Sequence, residues 1–397
     1  MMSSTKYLII GGGMTGDAAV RGIRKVEPGA EIALLAAEPH PPYNRPPLSK
    51  GLWKDKPLDG IWRRTESEGL TLFLGRTATR LDLDAGLVVD DEGREHGYER
   101  LLLATGGTPR RLPFGGDEII YFRTLDDYRR LRNLTATGQR FAVIGGGFIG
   151  CEVAAALAGI GRKVVMAFPE AGIGARIFPR DLSLFLNGYF AEKGVEVRAG
   201  ERAAGLDREE RRLVLHTEAP DGVAHHVPVD GVVAGLGIQP NVELARVAGL
   251  EVGDGVIVDE QLRTSHESVW AAGDVALFPS AALGVRVRVE HEDNALAQGS
   301  IAGQNMAGAG LAYHHLPFFY SDLFELGYEA VGELDSRLDV VADWQEPFRK
   351  GVVYYLRGEQ VRGVLLWNVW GKVDAARELI ASRKTFHPGD LKGRIQG

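Results

Sequence analysis

Two short stretches of this chain carry the same residue types at the same spacing. Gly11, Gly13 and Gly16 stand in "GGGMTG", and Gly145, Gly147 and Gly150 stand in "GGGFIG". Each stretch follows an apolar run and opens a segment rich in alanine. In that setting the first glycine permits a tight turn, the second lets backbone approach a pyrophosphate, and the third lets helix and strand pack closely. The helix N-terminus then presents free N–H groups and the positive end of its dipole to phosphates. One such stretch also describes an ordinary turn, whereas two point to two dinucleotide sites in one protein. An acid at the end of the next strand is placed to grip the adenosine ribose. The run "VVMAFPE" supplies Glu170 for the second loop, and a carboxylate there favours NADH over NADPH by repelling a 2′-phosphate. After the first loop, alanines hold the strand end and the next acid is Glu38.

Composition removes other chemistries. Cys151 is the only cysteine among 397 residues, so neither an internal disulfide nor a CxxC redox pair can form. A helix N-terminus lowers a thiol pKa, but Cys151 fits better as a small packing residue. A net charge of −7 gives no indication of nucleic-acid or anionic-membrane binding. The chain starts in strand-like residues without a basic and apolar leader, and no apolar run reaches the length needed to span a bilayer. A cytoplasmic protein is expected. The pairs His225/His226 and His314/His315 lack partners at metal-ligand spacing and read as surface histidines; no metal is expected.

The elements that must position the glycine loops follow from periodicity and punctuation. Residues 6–36 read as strand, loop, helix and strand, a βαβ unit. The proline-rich excursion "EPHPPYNRPPLSKGLW" excludes helix, because prolines remove donors and fix φ. Alternating runs to about residue 103 read as a β-meander that returns to a parallel strand. A charged helix, "TLDDYRRLRNL", precedes the second βαβ unit at 140–168. The last ~80 residues read as strands closed by the helix "DAARELIAS". The expected architecture is α/β, with two Rossmann-like dinucleotide-binding domains and a C-terminal α+β domain. The boundaries are 1–112 with 242–312, then 113–241, then 313–397.

Several longer stretches are specific enough to carry a resemblance. "PYNRPPLSKGLW", "GGGFIGCE" with "AFPE", "WAAGDVA", "VEHEDNALAQG", "FFYSDL" and "YYLRGEQVRGVLLWN" occur in that order. Together they resemble the FAD-dependent NADH oxidoreductases of the ferredoxin-reductase and apoptosis-inducing-factor type, over nearly the whole chain. The resemblance implies that the first loop binds FAD and the second NADH, and that a hydride passes between them. It implies an ion pair of Lys50 and Glu152 near flavin N5, where reduced flavin gathers negative charge. It also implies FAD contacts from Glu38, Arg45, Thr105, Gly106, Arg123, Gly273, Asp274, Glu290, His291 and Tyr320, with Arg45 at the adenosine side and Asp274 at the ribityl chain. The helix after His291 is expected to aim its N-terminus at flavin N1 and the C2 oxygen. Gly237 and Phe148 are implied on the NAD side, Phe148 as a ring that shields the flavin and then stacks on nicotinamide. Tyr320 departs from the pattern, since apoptosis-inducing factor has tryptophan there. Plainer roles fit some of the same residues: a solvated loop lysine for Lys50, a helix-capping carboxylate for Glu152, a core ring for Phe148. Arg123 lies in a run of five arginines between 123 and 140 that also suits a solvated face.

The resemblance implies an enzyme that takes hydride from NADH onto FAD and delivers electrons to a ferredoxin- or rubredoxin-type iron–sulfur acceptor. The lack of a dithiol, and of a cysteine in the "PPYNRPP" loop, argues against thioredoxin, lipoamide or coenzyme A disulfide reduction. Two alternatives stay open: an NADH:quinone or oxygen oxidoreductase, and an NADH-sensing flavoprotein with a binding role. Residues 349–397 hold ten Lys and Arg against four acids, a local +6 that would steer an acidic partner.

Overall fold

The computed structural model describes residues 3–210 and 212–395. The chain divides into two compact units, one formed by residues up to Asn44 with Asp59–Thr108 and Gln239–Phe319, the other by Arg45–Leu58, Pro109–Ile238 and the residues from Tyr320 onward.

In the first unit, strand Ser3–Ile10 is central because its residues from Tyr7 onward are all buried. It pairs in parallel with Ile32–Ala36 on one side and Glu95–Leu103 on the other. Thr71–Leu74 extends the sheet beyond Ile32–Ala36, and Leu87–Asp90 and Ala78–Asp82 extend it antiparallel beyond Glu95–Leu103, completing the meander. Val269–Ala271 adds a parallel pairing to Glu95–Leu103. Helices Met14–Val26 and Glu292–Met306 lie against each other at a distance only glycine allows: a Cβ on Gly303 would stand 2.1 Å from the Ala19 carbonyl oxygen.

The second unit repeats the βαβ theme with a five-stranded parallel sheet, in the order Val195–Ala199, Lys163–Phe168, Arg140–Ile144, Gly231–Ala234 and Ile119–Tyr121. A three-stranded antiparallel sheet follows the fourth helix of the chain, Arg180–Glu192; neither was expected from the sequence. The C-terminal strands form an antiparallel sheet ordered Phe318–Leu323, Leu326–Gly332, Gln360–Trp367, Lys350–Arg357 and Asp339–Glu346, with helix Val373–Ala381 after it. Its core is aromatic: Tyr328 stacks on Trp367 at 5.6 Å, and Phe178 meets both rings edge-on.

The proline-rich excursion differs in one respect from expectation. It forms two short 3-10 turns, Pro46–Leu48 and Gly51–Lys54. Pro46 and Pro47 occupy the first positions of the first turn, where a missing N–H costs nothing. No helix among the described residues is long and apolar enough to cross a membrane.

Candidate functional site: two glycine cradles and a buried ion pair

The first cradle has a floor that excludes side chains. Gly11 sits at φ +124°, and a Cβ there would fall 2.0 Å from the Ala104 carbonyl oxygen. A Cβ on Gly16 would fall 2.1 Å from the Gly11 oxygen. Gly13 caps helix Met14–Val26 without a side-chain hydrogen bond, and the space beyond its α-carbon is open. A helix end left uncapped in front of open space fits a phosphate. Behind it, Asp17 is fully buried and accepts from Arg63 at 2.6 Å, Thr65 at 2.7 Å and Arg21 at 3.1 Å.

The other residues expected around this cradle take definite places. Glu38, two residues past strand Ile32–Ala36, accepts from the Tyr43 hydroxyl at 2.5 Å. Asn241 holds Thr105 and Gly106, donating from its side chain to the Thr105 carbonyl at 2.9 Å and from its backbone to the Gly106 carbonyl at 3.0 Å. Gly273 starts the 3-10 turn carrying Asp274, and its N–H donates to Gln298 Oε1 at 2.8 Å. The Asp274 carbonyl accepts from Arg288, which also binds Glu290 at 2.7 Å. His291 is the N-cap of helix Glu292–Met306 and stacks on Phe319 at 4.3 Å. Burial pushes its pKa down to about 4, against the pull of Asp274 and Asp293. His291 Nδ1 and Gln298 Nε2 are shut off from solvent without a hydrogen-bond partner. Two such orphaned polar atoms, beside a cradle that excludes Cβ, fit a bound polar group.

The second cradle copies the first. Gly145 sits at φ +113°, and Cβ atoms on Gly145 and Gly150 would fall 2.5 Å from the Gly235 oxygen and 2.0 Å from the Gly145 oxygen. Gly147 caps helix Phe148–Gly159 with the same backbone angles as Gly13, φ −86° and ψ −171°. The residues at its mouth differ: Phe148 and Ile149 are each 37% exposed. Glu170, two residues past strand Lys163–Phe168, is paired with the exposed Arg176 at 2.9 Å. Gly237, at φ +77°, accepts from the Arg110 N–H through its carbonyl. Cys151 is buried, and burial raises its thiol pKa well above the ordinary range, so packing rather than reactivity describes it.

Within the second unit, Lys50 and Glu152 form an ion pair, with side chains 13% and 6% exposed. Glu152 also accepts from the Ser49 hydroxyl at 2.5 Å and the Ser321 hydroxyl at 2.6 Å. The Lys50 ammonium lies 5.1 Å from the centre of the Tyr320 ring. Arg45 and Arg123 also meet, the Arg45 guanidinium donating to the Arg123 carbonyl at 3.0 Å. Sequence reasoning missed Ser49 and Ser321, although each lies beside a residue already singled out. It also missed Arg63, whose link to Asp17 spans 46 residues.

The histidine pairs, read as surface residues, have single neighbours: His226 faces His216 across two strands, 2.6 Å between their Nδ1 atoms, and His315 meets Asp293 at 2.5 Å. Strand register and chain return bring them together, which linear spacing cannot show. No cluster of three or more metal-capable side chains exists among the described residues. Part of the positive charge of residues 349–397 faces an acid outside that segment, since Arg357 and Arg362 both pair with Glu333.

Two units, each with a glycine cradle at the strand-to-helix turn of a parallel βαβ core, define a protein of the dinucleotide-binding kind. Residues 5–299 match the family model for pyridine nucleotide-disulphide oxidoreductases, and the chain belongs to that family. Residues 302–347 and 342–382 match the model for the C-terminal region of mitochondrion-associated apoptosis-inducing factor. Mitochondrial apoptosis-inducing factor 1 of Dictyostelium discoideum is 33% identical, covering 96% of this chain and 79% of its own length. The ferredoxin–NAD(+) reductase component of the anthranilate 1,2-dioxygenase system of Burkholderia cepacia is also 33% identical, with 98% and 97% covered. The crystal structure of the ferredoxin reductase for the CYP199A2 system of Rhodopseudomonas palustris aligns with a TM-score of 0.88 at 29% identity, over 97% of this chain and 96% of that one.

Proposed function

We propose that this protein is an FAD-dependent NADH oxidoreductase that passes electrons to a small iron–sulfur acceptor of the ferredoxin or rubredoxin type. The observation that carries the proposal is the pair of cradles with one backbone geometry and different mouths. Met14 and Thr15 after the first loop are buried, as suits a group held permanently. Phe148 and Ile149 after the second are partly exposed, as suits a nucleotide that enters and leaves.

In this reading residues 1–112 and 242–312 hold FAD, 113–241 hold NADH, and 313–397 form a third region. Gly11, Gly13 and Gly16 take the flavin nucleotide's phosphates, Glu38 its ribose, and Arg45, Thr105, Gly106, Arg123, Gly273, Asp274, Glu290, His291 and Tyr320 the rest. When bound, the flavin supplies hydride acceptance and the conversion from two-electron to one-electron transfer. Gly145, Gly147 and Gly150 take the NADH phosphates, Glu170 its ribose hydroxyls, and Phe148 and Gly237 border the nicotinamide side. Lys50 places a positive charge where negative charge gathers on reduction, and Glu152 holds it there. The chain's single cysteine leaves no internal dithiol for electrons to pass through. We place the protein in the cytoplasm.

A second reading has one observation in its favour, the match of the C-terminal region to that of apoptosis-inducing factor. It casts the protein as an NADH-sensing flavoprotein whose reduced form is long-lived and selects a binding partner. Stopped-flow reduction with NADH, followed by mixing with an acidic [2Fe–2S] ferredoxin, a quinone or oxygen, separates the readings. Rapid reoxidation by ferredoxin is expected. A reduced state that outlasts every acceptor would favour the second reading, and reoxidation by quinone alone would move the acceptor to that class. If steering by residues 349–397 operates, the ferredoxin rate falls with added salt.

A further inference from the structure

The ion pair of Lys50 and Glu152 is held from both ends by two successive residues of one strand. In Phe318–Leu323, Tyr320 presents its ring to the Lys50 ammonium and Ser321 donates its hydroxyl to Glu152 Oε1. Ser321 is only 1% exposed and so cannot turn its hydroxyl to water. Its one proton goes to Glu152 at 2.6 Å, and Tyr328 on the next strand is its neighbour. Tyr328 is in turn fixed by its stack on Trp367. On the other side, Ser49 donates to Glu152 Oε2. Oε1 takes Lys50 and Ser321, and Oε2 takes Ser49, so rotation of the carboxylate would break all three contacts together.

We propose that Ser321, assisted by Ser49, is a positioning residue that aims the Lys50 ammonium through Glu152. Lysine is a point charge on a flexible four-carbon stem, and its direction depends on what grips its end. Here the grip is a carboxylate locked by two hydroxyls, with the Tyr320 ring close to the ammonium. The inference rests on the reading above that Lys50 faces the flavin, and it adds the residues that set where the charge points.

The test uses the flavin-loaded protein and reads the midpoint potential of its flavin by equilibration with reference dyes, together with the rate of reduction by NADH. Lys50→Ala is expected to lower the potential. Ser321→Ala is expected to move it in the same direction by less and to slow reduction by about tenfold, the scale of one hydrogen bond to a charged group. Ser321→Thr, which keeps the hydroxyl, is expected to recover most of both. The deciding measurement is a cycle: Ser321→Ala added to Lys50→Ala changes the potential no further, because nothing is left to aim. Should Ser321→Ala fold poorly, Ser49→Ala is read in the same cycle. A potential that moves in Lys50→Ala but not in Ser321→Ala or Ser49→Ala overturns the positioning role and leaves the reading of Lys50 intact. Equal shifts from Ser321→Ala with and without Lys50 also overturn it, since the serine would then act on its own. A potential unmoved by Lys50→Ala removes the reading itself.

Discussion

The two glycine cradles share a backbone and differ in what their helices do with an acid. Gly11 and Gly145 adopt nearly the same positive φ, and Gly13 and Gly147 cap their helices at identical angles. Six residues past the first glycine, one helix carries Asp17 and the other Cys151. Asp17 is consumed by two arginines and a threonine that tie residues 63–65 to the helix. In the second helix the acid comes one residue later, at Glu152, which is about 100° further around the axis. That rotation directs it to Ser49, Lys50 and Ser321 instead. A fold can thus use one scaffold twice, tying the acid to two arginines and a threonine in one copy and to a lysine and two serines in the other.

The largest effect that would break this comparison concerns retention. The purified protein is expected to be yellow and to keep one FAD through gel filtration, while NADH washes away. Absorbance of the denatured supernatant checks this, and a colourless, folded protein would contradict the assignment of the first cradle. Next in size is stability. Asp17→Ala removes the buried acceptor shared by Arg63, Arg21 and Thr65 and is expected to cost about 3 kcal/mol, whereas Cys151→Ala, at the matching position, costs about 1 kcal/mol or less. Chemical denaturation of both variants measures the difference, and equal losses would show that the two positions do the same work.

Smaller is the effect on cofactor choice. Glu170→Arg is expected to improve reduction by NADPH relative to NADH by about tenfold, the equivalent of 1.4 kcal/mol. An unchanged ratio in steady-state kinetics would take Glu170 away from the ribose. The smallest effect is one of pH. His291 has its pKa lowered from 6.5 to about 4 by burial, so the folded state binds fewer protons than the unfolded state between those values. Its contribution is therefore fully present above pH 6.5 and is lost as pH falls toward 4. Thermal melts across that window should show a shallower decline in His291→Gln than in the unsubstituted protein. Parallel declines would assign the acid sensitivity to other groups.

Much of this could be read before the structure was known, for local reasons. The two βαβ units are written in short-range patterns: an apolar run, a glycine triplet and an alanine-rich helix all lie within about thirty residues. Helix Leu125–Leu134 announces itself through Thr124 and Asp127, whose side chains form a capping box three residues apart. The C-terminal helix is equally plain in its own residues. The prolines at 46 and 47 ruled out a long helix, yet could not show that they would begin a 3-10 turn, since that depends on what the flanking chain must reach.

What sequence alone determined, then, was the pair of cradles, the absence of a dithiol and the identity of the candidate acids, because each rests on residue type and local spacing. What only the tertiary structure decided was which acid meets which partners. Asp17 and Arg63 are 46 residues apart, Lys50 and Glu152 are 102, and Ser321 lies 169 beyond Glu152. No periodicity or cap spans such separations. Those pairings exist because chain reversal and sheet order bring distant hydroxyls and charges into places closed to water, where a buried carboxylate must find partners or not be there at all.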